Sequence, residues 1–128
     1  MTVEAALADT SVFIGQEQAR PFRGDLPPSL AVSYVTVAEL TLGVLNAAPE
    51  NRSSRLETLI RVRGFEPIPV DDRVAVAWAE LRRALRGAGH RLAGNDAWIA
   101  ATAVAHGMPL LTQDSDYADV PGLEVIRL

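Results

Sequence analysis

The segment Ala5-Ala6-Leu7-Ala8-Asp9-Thr10-Ser11-Val12-Phe13-Ile14 constrains this chain more than any other. A short apolar run stops at a carboxylate, two hydroxyl residues follow, and an apolar helical pattern begins. Read as a buried strand feeding a helix, it puts Asp9 at the strand's carboxyl end, where open parallel sheets hold their ligands. Thr10 or Ser11 can cap the helix, which the pattern places over residues 11–20. Asp9 is therefore hard to explain as a cap.

The same strand-then-helix signal recurs. Residues 21–28 read as a loop, and residues 30–35 as a second strand. Thr36-Val37-Ala38-Glu39 has capping-box spacing and opens a helix to about Ala47, which Pro49 stops. Residues 51–63 predict a helix with Leu56, Leu59 and Ile60 on one face. Residues 65–70 carry strand residues broken by Pro67 and Pro69, so at best they form a short or edge strand. Asp71 or Asp72 caps a helix in which Val74, Ala77, Trp78, Leu81 and Leu85 recur at helical spacing. Asn95 caps another over residues 96–106, rich in small apolar residues, with Gly107 behind it. Residues 109–112 read as a buried strand, 113–119 as a polar loop and 123–126 as a last strand. Strands alternating with helices predict an α/β domain with a mainly parallel sheet. A length of 128 residues without repeat or long linker implies a single domain over 1–128.

Composition enters by exclusion. There is no cysteine, which removes disulfides, thiolate zinc sites and cysteine nucleophiles and points to a reducing, cytoplasmic setting. All 12 basic residues are arginine, so no P-loop lysine, Schiff base or lysine general base is available. No apolar run reaches the ~20 residues of a membrane span. A net charge of −4 argues against simple phosphate neutralisation, but not against an enzyme whose metal ion supplies positive charge locally.

Such an ion has candidate ligands. Asp9 follows the first strand, Glu39 lies in the helix turn after the second, Asp96 opens the small-residue helix, and Asp114 and Asp116 follow Leu110-Leu111-Thr112. In a parallel sheet with right-handed crossovers these junctions share one edge, so the acids can converge. Converging carboxylates raise one another's pKa unless a cation sits among them. Hard Mg²⁺ or Mn²⁺ suits an all-oxygen set. The competing reading is that each acid merely favours a helix dipole, at ~0.3–1 kcal/mol apiece.

Asp9-Thr10-Ser11-Val12-Phe13-Ile14, Val37-Ala38-Glu39-Leu40, Asn95 to Ala103 and Leu111-Thr112-Gln113-Asp114-Ser115-Asp116-Tyr117 together resemble a PIN domain, and more narrowly the VapC toxins of bacterial toxin–antitoxin pairs. The resemblance spans essentially the whole chain. It implies a three-layer α/β/α domain and a Mg²⁺- or Mn²⁺-dependent endoribonuclease, in which a metal-activated water cuts RNA to 5′-phosphate and 3′-hydroxyl ends. It further implies a homodimer and a cognate antitoxin that blocks the site with a C-terminal segment. By position, Asp9 and Asp96 would be the main metal ligands. Glu39 and either Asp116, slightly favoured, or Asp114 would complete the acidic pocket. Thr10 or Ser11 would orient Asp9 or a metal-bound water. Gln113 stands where arginine or asparagine is common, which alters an expected contact to substrate.

Rival chemistries fit less well. An aspartyl-nucleophile phosphatase wants a second Asp at the position of Ser11 and a lysine; a receiver domain wants adjacent acids and a lysine. A PIN-like binding module without activity is a further alternative, against which the intact set of acids argues. His106 ends a helix and His90 sits in an Arg/Gly connector, so neither reads as a catalyst. Trp78 and Trp98 read as core. Arg82, Arg83, Arg86 and Arg91 form the one basic concentration, either a solvated helix face or an RNA-backbone contact.

Overall fold

A computed structural model describes residues 3–128. Four strands, β1 (Ala5–Ala8), β2 (Ser29–Ala31), β3 (Leu110–Thr112) and β4 (Val125–Arg127), form one sheet in the order β2-β1-β3-β4. Every pairing is parallel, with Leu7 opposite both Ala31 and Leu110, and Leu110 opposite Val125. Parallel strands need crossovers, supplied by five helices: α1 (Thr10–Glu17), α2 (Tyr34–Asn46), α3 (Pro49–Arg63), α4 (Asp72–Gly87) and α5 (Gly94–Ala105).

The strands are apolar because both sheet faces are covered. Ala6, Ala8 and Leu111 meet Val12, Phe13, Val37, Leu40, Leu59 and Val62 from α1, α2 and α3. Leu7 and Leu110 meet Val74, Leu81 and Leu85 of α4 and the small residues of α5. The result is the expected α/β/α layering. From β1 the chain crosses first to β2 on one side, and later to β3 on the other. Such a reversal of strand order opens a crevice beyond the carboxyl ends of β1 and β3. Asp9 and the loop after Thr112 occupy it.

Several boundaries differ from the sequence reading, each for a local reason. Helix α1 ends at Glu17, short of residue 20, because Ala19 turns to φ 55° and the Arg20 N–H reaches back to Gly15 C=O at 2.8 Å, a Schellman closure. Strand β2 stops at Ala31 and α2 starts at Tyr34, since the Ser33 hydroxyl caps it by accepting the Val35 N–H at 3.0 Å. Thr36, expected to be the cap, is fully buried inside the helix. Pro49 does not merely stop α2; it stands in the first turn of α3, where its missing N–H costs nothing. Residues 65–70 yield only a bridge between Ser33 and Ile68. Helix α4 is capped by Asp71, which accepts the Val74 N–H at 3.1 Å. Helix α5 begins at Gly94, so Asn95 lies in its first turn and does not cap it. Gly107 follows α5 at φ 62°, the left-handed conformation in which glycine pays no Cβ penalty. The polar loop contains a 3₁₀ turn, Ser115–Tyr117, and β4 starts two residues later and ends one residue later than expected.

Candidate metal centre

Asp9 stands at the N-cap position of α1, yet its side chain caps nothing. It is 4% exposed, with Oδ2 accepting the Thr112 hydroxyl at 2.9 Å and Oδ1 accepting the Tyr117 hydroxyl at 2.9 Å. The helix-dipole reading alone does not account for it: the carboxylate is built into the sheet edge. Thr112, having spent its proton on Asp9, accepts the Asp114 N–H at 2.9 Å and the Ser11 hydroxyl at 3.1 Å. Ser11 Oγ in turn accepts the Gln113 N–H at 3.0 Å. These bonds tie the loop after β3 to the first turn of α1.

Tyr117 also reaches Asp96, its hydroxyl lying 3.0 Å from Oδ1. A phenol has one proton to give. Its one proton is therefore shared between the two carboxylates. Asp96 is pushed from 3.8 to about 6, first by burial, against the opposing pull of the Tyr117 bond, and further by the charges of Asp9, Glu39 and Asp114. Burial and the two carboxylates also push the Tyr117 hydroxyl upward, so it remains a donor.

Asp96, Asp114 and Asp116 each offer a carboxylate oxygen within 4.8 Å of the others. The alternative between Asp114 and Asp116 thus loses its force at the level of geometry, because both come to Asp96. Glu39 joins from α2: Oε1 lies 2.7 Å from Thr10 Oγ1, which is 2.9 Å from Thr36 Oγ1. Thr10 is the donor in both contacts, its one proton shared between the Glu39 carboxylate and the Thr36 hydroxyl oxygen. Thr10 therefore holds Glu39, and Ser11 reaches Asp9 only through Thr112.

Thr112 and Tyr117, the direct partners of Asp9, were missing from the sequence-derived set. The available signal was a hydroxyl at the last position of a buried strand beside β1, and a phenol in an apolar slot next to Asp116. The acids all present oxygen, with no nitrogen or sulfur ligand among them, and their mutual repulsion is what a hard divalent cation relieves.

Other residues take the roles of structure. Trp78 and Trp98 stack on each other, centroids 4.7 Å apart, and join α4 to α5. His106 Nδ1 meets Arg73 Nη2 at 3.3 Å and His90 Nε2 meets the Ala118 carbonyl at 2.9 Å. The Gln113 amide lies over Gly15 and donates to the Pro21 carbonyl at 3.4 Å, on the flank of α1.

A parallel sheet whose β1–β3 crevice carries acids from four segments is the arrangement of an α/β domain with an acidic site, and the family model described as "PIN domain" matches residues 6–123. The chain is 52% identical over 131 residues to Ribonuclease VapC4 of Mycobacterium tuberculosis (strain ATCC 25618 / H37Rv), covering 100% of both proteins. It is 45% identical over 132 residues to Ribonuclease VapC5 of the same strain, covering 99% of this chain and 98% of that one. The solved structure of VapBC-5 from Mycobacterium tuberculosis, a member of the VapBC family of toxin-antitoxin systems, superposes with a TM-score of 0.87 at 43% identity, over 98% of this chain and 99% of its own. The chain belongs to the PIN domain family and, within it, to the VapC proteins.

Proposed function

We propose that the protein is a Mg²⁺- or Mn²⁺-dependent endoribonuclease and the toxin of a toxin–antitoxin pair. The observation that carries the reading is the joining of Asp9 to Asp96 through one buried tyrosine hydroxyl, with Asp114 and Asp116 oxygens within 4.8 Å of Asp96. That the relatives VapC4 and VapC5 are named ribonucleases supports it from outside.

Asp9 and Asp96 are the main ligands in this reading, with Glu39 and Asp116 or Asp114 closing the acidic pocket. A divalent ion there would add Lewis-acid charge and lower the pKa of a water near the scissile phosphate. The chain's own residues do the rest. Thr112 and Tyr117 fix the rotamer of Asp9, Thr10 fixes Glu39, and Asp96 gives up the proton its burial favours when a cation arrives. The amino end of α5 adds a partial positive charge beside the phosphate.

Protein partners fit the surface. Helices α2 and α3 expose Leu42, Leu45 and Ile60 at 57%, 72% and 61%, an apolar face suited to an antitoxin or a second copy of the chain. No helix among the described residues is long and apolar enough to cross a membrane.

The test is RNA cleavage by the purified protein with Mg²⁺ or Mn²⁺. EDTA and Asp96→Asn should each abolish it. Cleavage that survives either treatment would overturn the mechanism. A protein that binds Mn²⁺ by calorimetry yet cuts no RNA would be a binding module.

A further inference from the structure

A second site lies where α4 runs into α5. Arg82, Leu85, Arg86, His90, Arg91 and Leu92 enclose a cavity of about 290 Å³. Three guanidinium groups and an imidazole line it, and no carboxylate does. In a chain with 16 acids against 12 arginines, that segregation goes against the overall charge. Arg82 and Arg86 are four apart on one helix face, where like charges repel. The helix dipole accounts for Arg86, in the last turn of α4. It does not account for Arg82, well before the end, or Arg91, beyond it. Among the described residues none of the three forms an ion pair.

The cavity is also pre-shaped. Arg82 donates to the Leu92 carbonyl at 3.1 Å and lies over the Trp78 ring, 5.8 Å from its centroid, which fixes its fork and leaves other N–H groups free. His90 Nε2 is committed to the Ala118 carbonyl, whereas its Nδ1 is buried without any partner. Chain connectivity ties the cavity to the acidic centre on both sides. Ala118 follows Tyr117, and Arg91 is five positions before Asp96, a Cα separation of at most about 18 Å.

We infer that this cavity binds a backbone phosphate of the RNA, a few nucleotides from the bond that is cut. Phosphate is what planar guanidinium forks recognise, and the cavity's nearness to the acids favours a strand already held at the metal centre. The inference rests on the ribonuclease reading.

The experiment measures anisotropy of a labelled single-stranded RNA of mixed sequence, on an Asp96→Asn background so that the strand stays intact, over about 50–200 mM salt. Arg86 and Arg91 are exposed and anchor nothing, so the Arg86→Ala/Arg91→Ala pair retains the fold. It should bind about tenfold more weakly, with the slope of log K against log salt reduced by about 1. Arg83→Ala removes a neighbouring charge of α4 that does not line the cavity, and should leave both quantities unchanged. Equal losses in Arg83→Ala and the pair would reduce the effect to general charge and overturn the inference. So would an intact RNA affinity in the pair alongside lost binding of poly-glutamate, which would make the cavity a protein-docking site. If the wild-type protein cuts RNA and the pair still binds as tightly, this inference alone fails; if the wild type cuts no RNA, the parent reading fails and takes this one with it.

Discussion

Tyr117, 108 residues along the chain from Asp9, donates its buried hydroxyl to that carboxylate at 2.9 Å. The bond is the point where the two ends of the fold close over the β1–β3 crevice. Among the described residues Asp9 has two side-chain donors, Thr112 and Tyr117, and losing one leaves a buried charge half-served. Tyr117→Phe keeps the ring and its packing and removes only the oxygen. A hydrogen bond to a charged group contributes about 1.5–3 kcal/mol, and a group that orients a metal ligand typically changes metal affinity 10–100-fold. The variant should melt lower in EDTA and bind Mn²⁺ at least about tenfold more weakly by calorimetry. Unchanged Mn²⁺ affinity would show that the phenol packs without positioning.

Thr10→Val tests the other arm of the site. The substitution preserves shape but removes the donor to Glu39 and to the buried Thr36 hydroxyl. A buried polar group that loses its partner costs about 1–3 kcal/mol, so the unfolding free energy should fall by that amount. RNA cleavage should fall further than stability explains, because Glu39 is no longer held toward Asp96. Ser11→Ala should do less to Glu39 chemistry, since Ser11 supports the loop at Gln113 and Thr112 instead. Equal cleavage rates for Thr10→Val and the wild type would remove Glu39's orientation from the mechanism.

The sheet and the identity of the converging acids were legible because both follow from junctions: an apolar run, then an acid, then a helix. Strand β3, expected over residues 109–112 from its apolar run, forms at Leu110–Thr112, and β1 was placed by the stop at Asp9. What stayed hidden were features set by cross-chain hydrogen bonds. Ser33-Tyr34-Val35-Thr36 offers two hydroxyls and a β-branched residue, so propensity extends the strand and assigns the cap to Thr36. Only the burial of Thr36 against Thr10 decides for Ser33. In the same way Asp9's partners come from Thr112 and Tyr117, whose roles depend on strand register and loop path, not on local pattern. Asn95 looked like a cap by residue type, but α5 starts two residues earlier than expected, at Gly94.

Helix α5 carries its own stability prediction. Ala97, Ala100, Ala101 and Ala103 are all fully buried, so the helix backbone lies close against its neighbours. Ala101→Leu adds three carbons to a filled space, at a cost of roughly 1–3 kcal/mol. Val104→Leu, on a face 37% exposed, should stay within about 0.5 kcal/mol. Urea denaturation followed by circular dichroism separates the two. A tolerant Ala101→Leu would mean that α5 can move off the sheet, and with it Asp96.

Asp96 supplies the pH dependence, and the sign follows from the direction of its shift. Its carboxyl is raised from 3.8 to about 6 in the folded protein. Between those values the native state holds a proton that the unfolded chain has lost, so this group's contribution to stability is full below the lower value and disappears as pH rises through about 6. Asp96→Asn keeps a neutral side chain at every pH and lacks that loss. In EDTA the variant should therefore melt close to the wild type near pH 4 and above it at pH 7.5, a crossover that paired thermal melts would show. Divalent ions reverse the balance, because binding requires the deprotonated form. Mn²⁺ affinity of the wild type should weaken by up to tenfold per unit as pH falls below about 6. A melting difference independent of pH, together with pH-independent Mn²⁺ binding, would mean that Asp96 is ionised throughout.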